Sequence, residues 1–139
     1  MAGFRVDVYG TARAQVNMRR TADMTVDRVA KGLYMEAERI MAMAKEEFVP
    51  VKTGTLRSTG HVKAPRIENG RIVVELAFGG PAAPYAVVVH ERPMKHSWSP
   101  TASGKPGTNK YLEAPLRLAA PGLPARLAAW VDFLKASGQ

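Results

Sequence analysis

The chain has 139 residues, with 20 Lys and Arg against 12 Asp and Glu, a formal charge of +8, 46% apolar residues and no cysteine. Without cysteine, a disulfide scaffold, Cys-ligated zinc and a thiol nucleophile are excluded. The apolar runs are shorter than the roughly 20 residues a membrane helix needs, and Arg5 and Asp7 interrupt the opening segment, so neither a span nor a signal-peptide core is expected.

At this length the expectation is one domain, 1–139, large enough to bury a core without staples. The net charge is the unusual quantity, and it points to an acidic partner. Residues 1–70 hold 12 basic and 8 acidic side chains and residues 71–139 hold 8 and 4, so each half carries +4 and there is no basic tail. The local exception is Arg92 to Lys110, where Arg92, Lys95, Lys105 and Lys110 have no acid among them.

Residues 1–22 read as an N-terminal strand or arm. Phe4-Arg5-Val6-Asp7-Val8 alternates as a half-buried strand does, and Gly10 and Thr11 end it. Residues 12–22 fit either a strand, through Ala14, Val16 and Met18, or the start of a helix. Across 23–49, Val26, Val29, Leu33, Ala37, Ile40, Ala44 and Phe48 recur at steps of three or four, which predicts one apolar stripe along a long helix. Thr21 and Asp23 are candidate N-caps. Pro50 ends the helix, because it lacks an amide hydrogen and biases Val49 towards extended angles. Glu36, Glu38, Glu46 and Glu47 alternate with Lys31, Arg39 and Lys45, which reads as a solvated face.

Residues 50–92 read as a β-meander. Lys52-Thr53-Gly54-Thr55 is a turn and Leu56 to Lys63 an extended segment. Glu68-Asn69-Gly70-Arg71 predicts a type I′ hairpin turn, and Ile72, Val74, Leu76 and Phe78 share one face of the next strand. Tyr85 to Glu91 is a third, near-continuous apolar strand. Residues 93–110 are irregular, broken by Pro93, Pro100, Gly104, Pro106 and Gly107, and connections this long are usually functional or disordered. In 111–139, Tyr111, Leu112, Leu116 and Ala119 fit one helical face, Pro121, Gly122 and Pro124 break it, and Leu127, Trp130, Val131 and Leu134 fit a second helix. The fold class expected is α+β: a small, mostly antiparallel sheet, made of the meander plus the N-terminal strand, packed against one long helix, with a C-terminal helical segment.

Chemistry is sparse. No serine sits in a Gly-x-Ser-x-Gly elbow, no His-Glu-x-x-His occurs, and His90 and Glu91 fall on opposite faces of a strand. Ser103-Gly104-Lys105-Pro106-Gly107 lacks the preceding strand of a phosphate loop, and Pro106 removes an amide. No catalytic residue, cofactor site or metal site is expected. His96, Trp98 and Tyr111 among Lys95, Lys105 and Lys110 fit either a stacking platform for nucleic acid or an anchor that ties the loop down.

One arrangement is more specific. A long helix ends at Pro50, and Thr53, Gly54, Leu56, Arg57 and Ser58 follow. After a hairpin come Tyr85, Ala86 and Glu91, then a loop, then Tyr111-Leu112 leading into the last helices. This order resembles the tail-completion or neck proteins (minor head–tail joining proteins) of long-tailed bacteriophages, over about residues 24–136. The chain departs from that pattern at Arg92-Pro93 and at Pro121 to Pro124. The resemblance implies a virion structural protein, found in the neck and, during assembly, in the host cytoplasm. It implies a ring, six copies being favoured over twelve. Its neighbours would be head-closure or adaptor proteins on one side and tail terminator or tail tube proteins on the other. On that reading Arg92, Lys95, His96, Trp98, Lys105 and Lys110 are the candidate interface or DNA-facing residues, with non-specific contact to passing DNA and no membrane. The alternative is a small basic nucleic-acid-binding module.

Overall fold

The computed structural model describes residues 2–6, 11–17, 26–51, 54–80, 100–105 and 110–139; for the first two ranges, only the backbone is described. Its elements are β1 (Ala2–Val6), β2 (Thr11–Asn17), α1 (Val26–Met43), α2 (Thr55–Ser58), β3 (His61–Val62), β4 (Arg66–Glu68), β5 (Arg71–Ala77), α3 (Glu113–Ala119) and α4 (Leu123–Ala136). The architecture is α+β, with a small antiparallel sheet against one long helix and a C-terminal helical segment.

Helix α1 forms as its periodicity requires. Val29, Leu33, Ala37 and Ile40 are fully buried along one stripe, and Met41 joins them, whereas Val26 and Met35 are exposed. The helix then widens into a π-turn at Ala44–Phe48, closed by a 2.9 Å bond from the Val49 amide to the Ala44 carbonyl. Val49 is extended before Pro50, as a pre-proline residue prefers. The candidate caps Thr21 and Asp23 lie outside the described residues.

The sheet runs β1-β2-β5, with β3 and β4 both on the far side of β5, and every described pairing is antiparallel. The ambiguous stretch 12–22 is a strand as far as Asn17, because Thr11–Asn17 pairs with Arg71–Ala77 of β5 in unbroken register. β3 and β4 are two halves of one interrupted edge. Val62 pairs with Leu76 and Arg66 with Val73, so Ala64 and Pro65 together stand opposite Val74. This is a β-bulge, and it puts a proline where no ladder donor is needed. The turn between β4 and β5 is type I′ as expected, with φ at +52° for Asn69 and +74° for Gly70.

The two faces of the sheet differ in kind. Ile72, Val74, Leu76 and Phe78 join α1 in the core, along with Tyr111, Leu112 and Leu116. The other parity of β5 is Arg71, Val73, Glu75 and Ala77. In register with it stand Arg13 opposite Glu75, Arg5 opposite Arg13, Arg66 opposite Val73 and Glu68 opposite Arg71.

One expectation is corrected. Leu56 to Lys63 is not one extended segment: Thr55–Ser58 is a helical turn entered from Gly54 at φ +84°, and only His61–Val62 is a strand. The Ser58 and Thr59 hydroxyls bond the Thr55 and Leu56 carbonyls at 2.7 Å, which holds that turn closed. The break expected at Pro121 to Pro124 is present, since α3 ends at Ala119 and α4 begins at Leu123. Ala120–Gly122 is a 3₁₀ turn leading directly into α4, and both prolines sit in first-turn positions, where an amide hydrogen has no partner to lose. The third meander strand, Tyr85 to Glu91, lies outside the described residues.

Candidate functional site

Of the residues that carry the pattern, Pro50, Gly54, Leu56 and Arg57 lie at the C-terminal end of α1. A helix end leaves its last carbonyls without partners and carries partial negative charge. Here the Arg57 Nε–H donates to the Lys45 carbonyl at 3.2 Å, and its guanidinium pairs with the Glu46 carboxylate at 3.3 Å. The next carbonyl, of Glu46, accepts the Ser103 amide at 3.1 Å. Arg57 could also pair with Glu91 or Glu75 on a neighbouring strand by its place in the sequence, but Glu91 lies outside the described residues and Glu75 is not its partner. That carboxylate is held instead by Lys63 at 3.3 Å and Arg66 at 2.9 Å.

Pro50 and Gly54 bring the chain round so that Leu56 enters the core. Tyr111 and Leu112 are fully buried, and the Tyr111 ring meets Phe78 edge-on, with centroids 5.1 Å apart. The Gly79 amide donates to the Thr59 hydroxyl at 2.9 Å, tying the end of β5 to the turn after α2. The first and third parts of the pattern thus meet in space. Thr53, Tyr85, Ala86 and Glu91 lie outside the described residues.

Part of the long loop belongs to the same junction. The Val51 amide donates to the Pro100 carbonyl at 2.8 Å, Thr101 is buried, and Lys105 pairs with Glu47. Lys110 lies 3.7 Å from Glu113. Residues 100–105 are therefore docked on the end of α1, and the two lysines meet Glu47 at that end and Glu113 three residues along the chain. Arg92, Lys95, His96 and Trp98 lie outside the described residues.

The structure also reveals a polar lock that the sequence pattern concealed. Glu36, read as part of a solvated face, is 1% exposed. Its carboxylate accepts from Arg126 Nε at 2.9 Å, from Trp130 Nε1 at 3.1 Å and from Arg39 at 3.3 Å. Burial disfavours its charge, yet the hydrogen bonds from Arg126, Trp130 and Arg39 outweigh burial and hold its pKa below the ordinary carboxylate value. The Arg126 guanidinium also donates to the Ala119 carbonyl at 2.5 Å, so one side chain ties α1, α3 and α4 together.

Beside this lock, an apolar groove of about 450 Å³ opens between α1, the bulge and α4, lined chiefly by Tyr34, Met35, Pro65, Trp130, Phe133 and Leu134. Met35 and Phe133 are exposed. Lys31 stands among the lining residues and pairs with Asp27 at 3.1 Å.

His61 is exposed, with Nδ1 2.8 Å from the Thr59 carbonyl oxygen, and among the described residues no cluster of His, Asp and Glu is arranged to hold a metal ion. No described helix is long and apolar enough to cross a membrane. Comparison with protein-family models, with characterised proteins and with solved structures finds no match to this chain.

Proposed function

We propose that the protein is a structural component of a bacteriophage neck, forming a ring, with six copies favoured over twelve, that joins the DNA-filled head to the tail. Its neighbours are head-closure or adaptor proteins on one side and tail terminator or tail tube proteins on the other. The observation that carries this reading is the junction at the end of α1. Pro50, Gly54, Leu56, Arg57, Tyr111 and Leu112, which carry the family-like order, cap a helix, turn the chain and fill a core. Such residues define a scaffold rather than a reaction centre. The exposed apolar groove adds support, since contiguous apolar surface rimmed by polar groups is what protein contacts cover. Ring closure needs two different patches per copy, one meeting the other on the next copy.

Electron microscopy of particles assembled without the protein tests the proposal. Filled heads separated from finished tails are expected, and normal, infectious particles would contradict it. The rival, a nucleic-acid-binding module, is distinguished by affinity: sub-micromolar, steeply salt-dependent binding of DNA by the isolated chain would favour it.

A further inference from the structure

We infer that the groove between α1, the bulge and α4 receives an amphipathic helix of a neighbouring protein, one that carries an acidic side chain on its apolar face. The groove is open: Met35 and Phe133 line it and are still 42% and 60% exposed. A small molecule would leave much of its own surface in water there, whereas small-ligand sites bury most of what they bind. Ile67, two residues along the chain from Pro65, is 66% exposed, so the apolar surface is not confined to the groove. A groove beside two packed helices suits the apolar face of a third.

The walls are set beforehand. α4 seats closely on α1 at Gly32, where a Cβ would lie 3.1 Å from both Leu127 Cδ1 and Trp130 Cβ. The Trp130 indole donates to the buried Glu36 carboxylate at 3.1 Å and meets Phe133 edge-on, with ring centroids 5.9 Å apart. The exposed Phe133 ring therefore stands against a fixed wall, and less freedom is lost when a partner covers it. Met35 has a flexible thioether chain that adapts to what is laid on it.

The polar atoms of the lining decide the charge of the occupant. The Trp130 N–H is taken by Glu36 and the Tyr34 hydroxyl by Glu38, so both rings offer the groove apolar surface. Lys31 is the one charged side chain among the described lining residues. It is 46% exposed and meets Asp27, itself 72% exposed, one turn away on the same helix. A surface pair of this kind contributes little, and an ammonium with three N–H donors keeps hydrogen for a second acceptor. A carboxylate on the incoming helix therefore gains a cation, whereas a basic side chain in its place would meet like charge. The inference deepens the neck proposal, on which it rests only for the identity of the neighbour.

The test is fluorescence anisotropy of a labelled synthetic peptide with the full chain. The peptide is an amphipathic helix with leucine along one face and a single glutamate on that face; its twin carries glutamine instead. The glutamate peptide should bind about two- to five-fold more tightly than the twin. Lys31→Gln should remove that preference and leave the twin's affinity unchanged. Phe133→Ser should weaken both peptides about tenfold, as loss of an aromatic anchor does. Leu118→Ser, which alters a 67% exposed leucine that does not line the groove, should change neither. All three side chains reach solvent, so each variant keeps the fold, which circular dichroism checks. No binding of either peptide, a preference for glutamate that survives Lys31→Gln, or equal losses from Leu118→Ser and Phe133→Ser would overturn the inference. So would self-association of the parent that Phe133→Ser abolishes, since the occupant would then be a second copy. Each of these results leaves the neck proposal to be decided by particle microscopy.

Discussion

At the scale of single residues, the Glu36 carboxylate is the group on which most depends. It is buried, and it accepts from two side chains on α4 and one on its own helix. Its folded pKa lies below the ordinary value of 4.5, so its stabilisation is fully present above that value and is lost as the pH falls through the lower folded pKa. Thermal melts should therefore show a loss of stability on acidification below about pH 4.5, and the Glu36→Gln variant should lack that component. The same substitution leaves Arg126 facing an uncharged amide, and it should cost about 2–4 kcal/mol in urea unfolding. An unchanged midpoint would show that the lock contributes nothing. None of this was legible in the sequence. Glu36 stands among charges at helical spacing, which reads as solvent-facing, while its partners Arg126 and Trp130 lie 90 and 94 residues further along. Arg57 was half legible: its place after a Thr-Gly turn marked it out, but its partner, the end of α1, required the fold. Arg57→Ala should cost about 1 kcal/mol through the lost cap.

At the scale of elements, the local signals were read where they were strong. The Asn69-Gly70 turn, the apolar stripe of α1 and the stop at Pro50 each follow from backbone restrictions that operate within a few residues. The sequence was ambiguous or misleading where distant pairing or a neighbouring hydroxyl decided. The stretch from Thr11 to Asn17 became a strand through β5, and Thr55–Ser58 a helical turn through its own side chains. Two glycines show the contrast between local and tertiary demands. Gly70 has φ +74° with open space where a Cβ would stand, so its requirement is purely conformational. At Gly60 a Cβ would lie 2.5 Å from Phe78 Cε1 and 2.7 Å from Lys45 Cε, so its requirement is close packing. Ala at either position should destabilise by about 1–2 kcal/mol, for these different reasons. Asn should rescue most of the loss at Gly70, since Asn tolerates positive φ, and worsen it at Gly60. Chemical denaturation of the four variants checks this, and rescue at both positions would contradict the assignment.

At the scale of the whole molecule, part of the basic charge is matched within the fold. The sequence pointed to the stretch from Arg92 to Lys110, because it holds four cations and no acid. In the fold, Lys105 and Lys110 are matched by Glu47 and Glu113, while Arg92 and Lys95 lie outside the described residues. Six copies at +8 each would carry a formal +48. Self-association of the isolated chain should accordingly strengthen as salt screens the repulsion between copies, and sedimentation at rising ionic strength would show it. Association strongest at low salt would mean that opposite charges, not apolar surface, hold the copies together.

We propose that this chain closes into a ring between head and tail. A reconstruction of the neck from purified particles, made by electron microscopy with rotational symmetry determined from the images, tests it most directly. A ring at the head–tail junction, into which α1, the sheet and the C-terminal helices fit repeatedly, six-fold or twelve-fold, is expected. A neck that contains no copy of this fold, or a single unrepeated one, would contradict it.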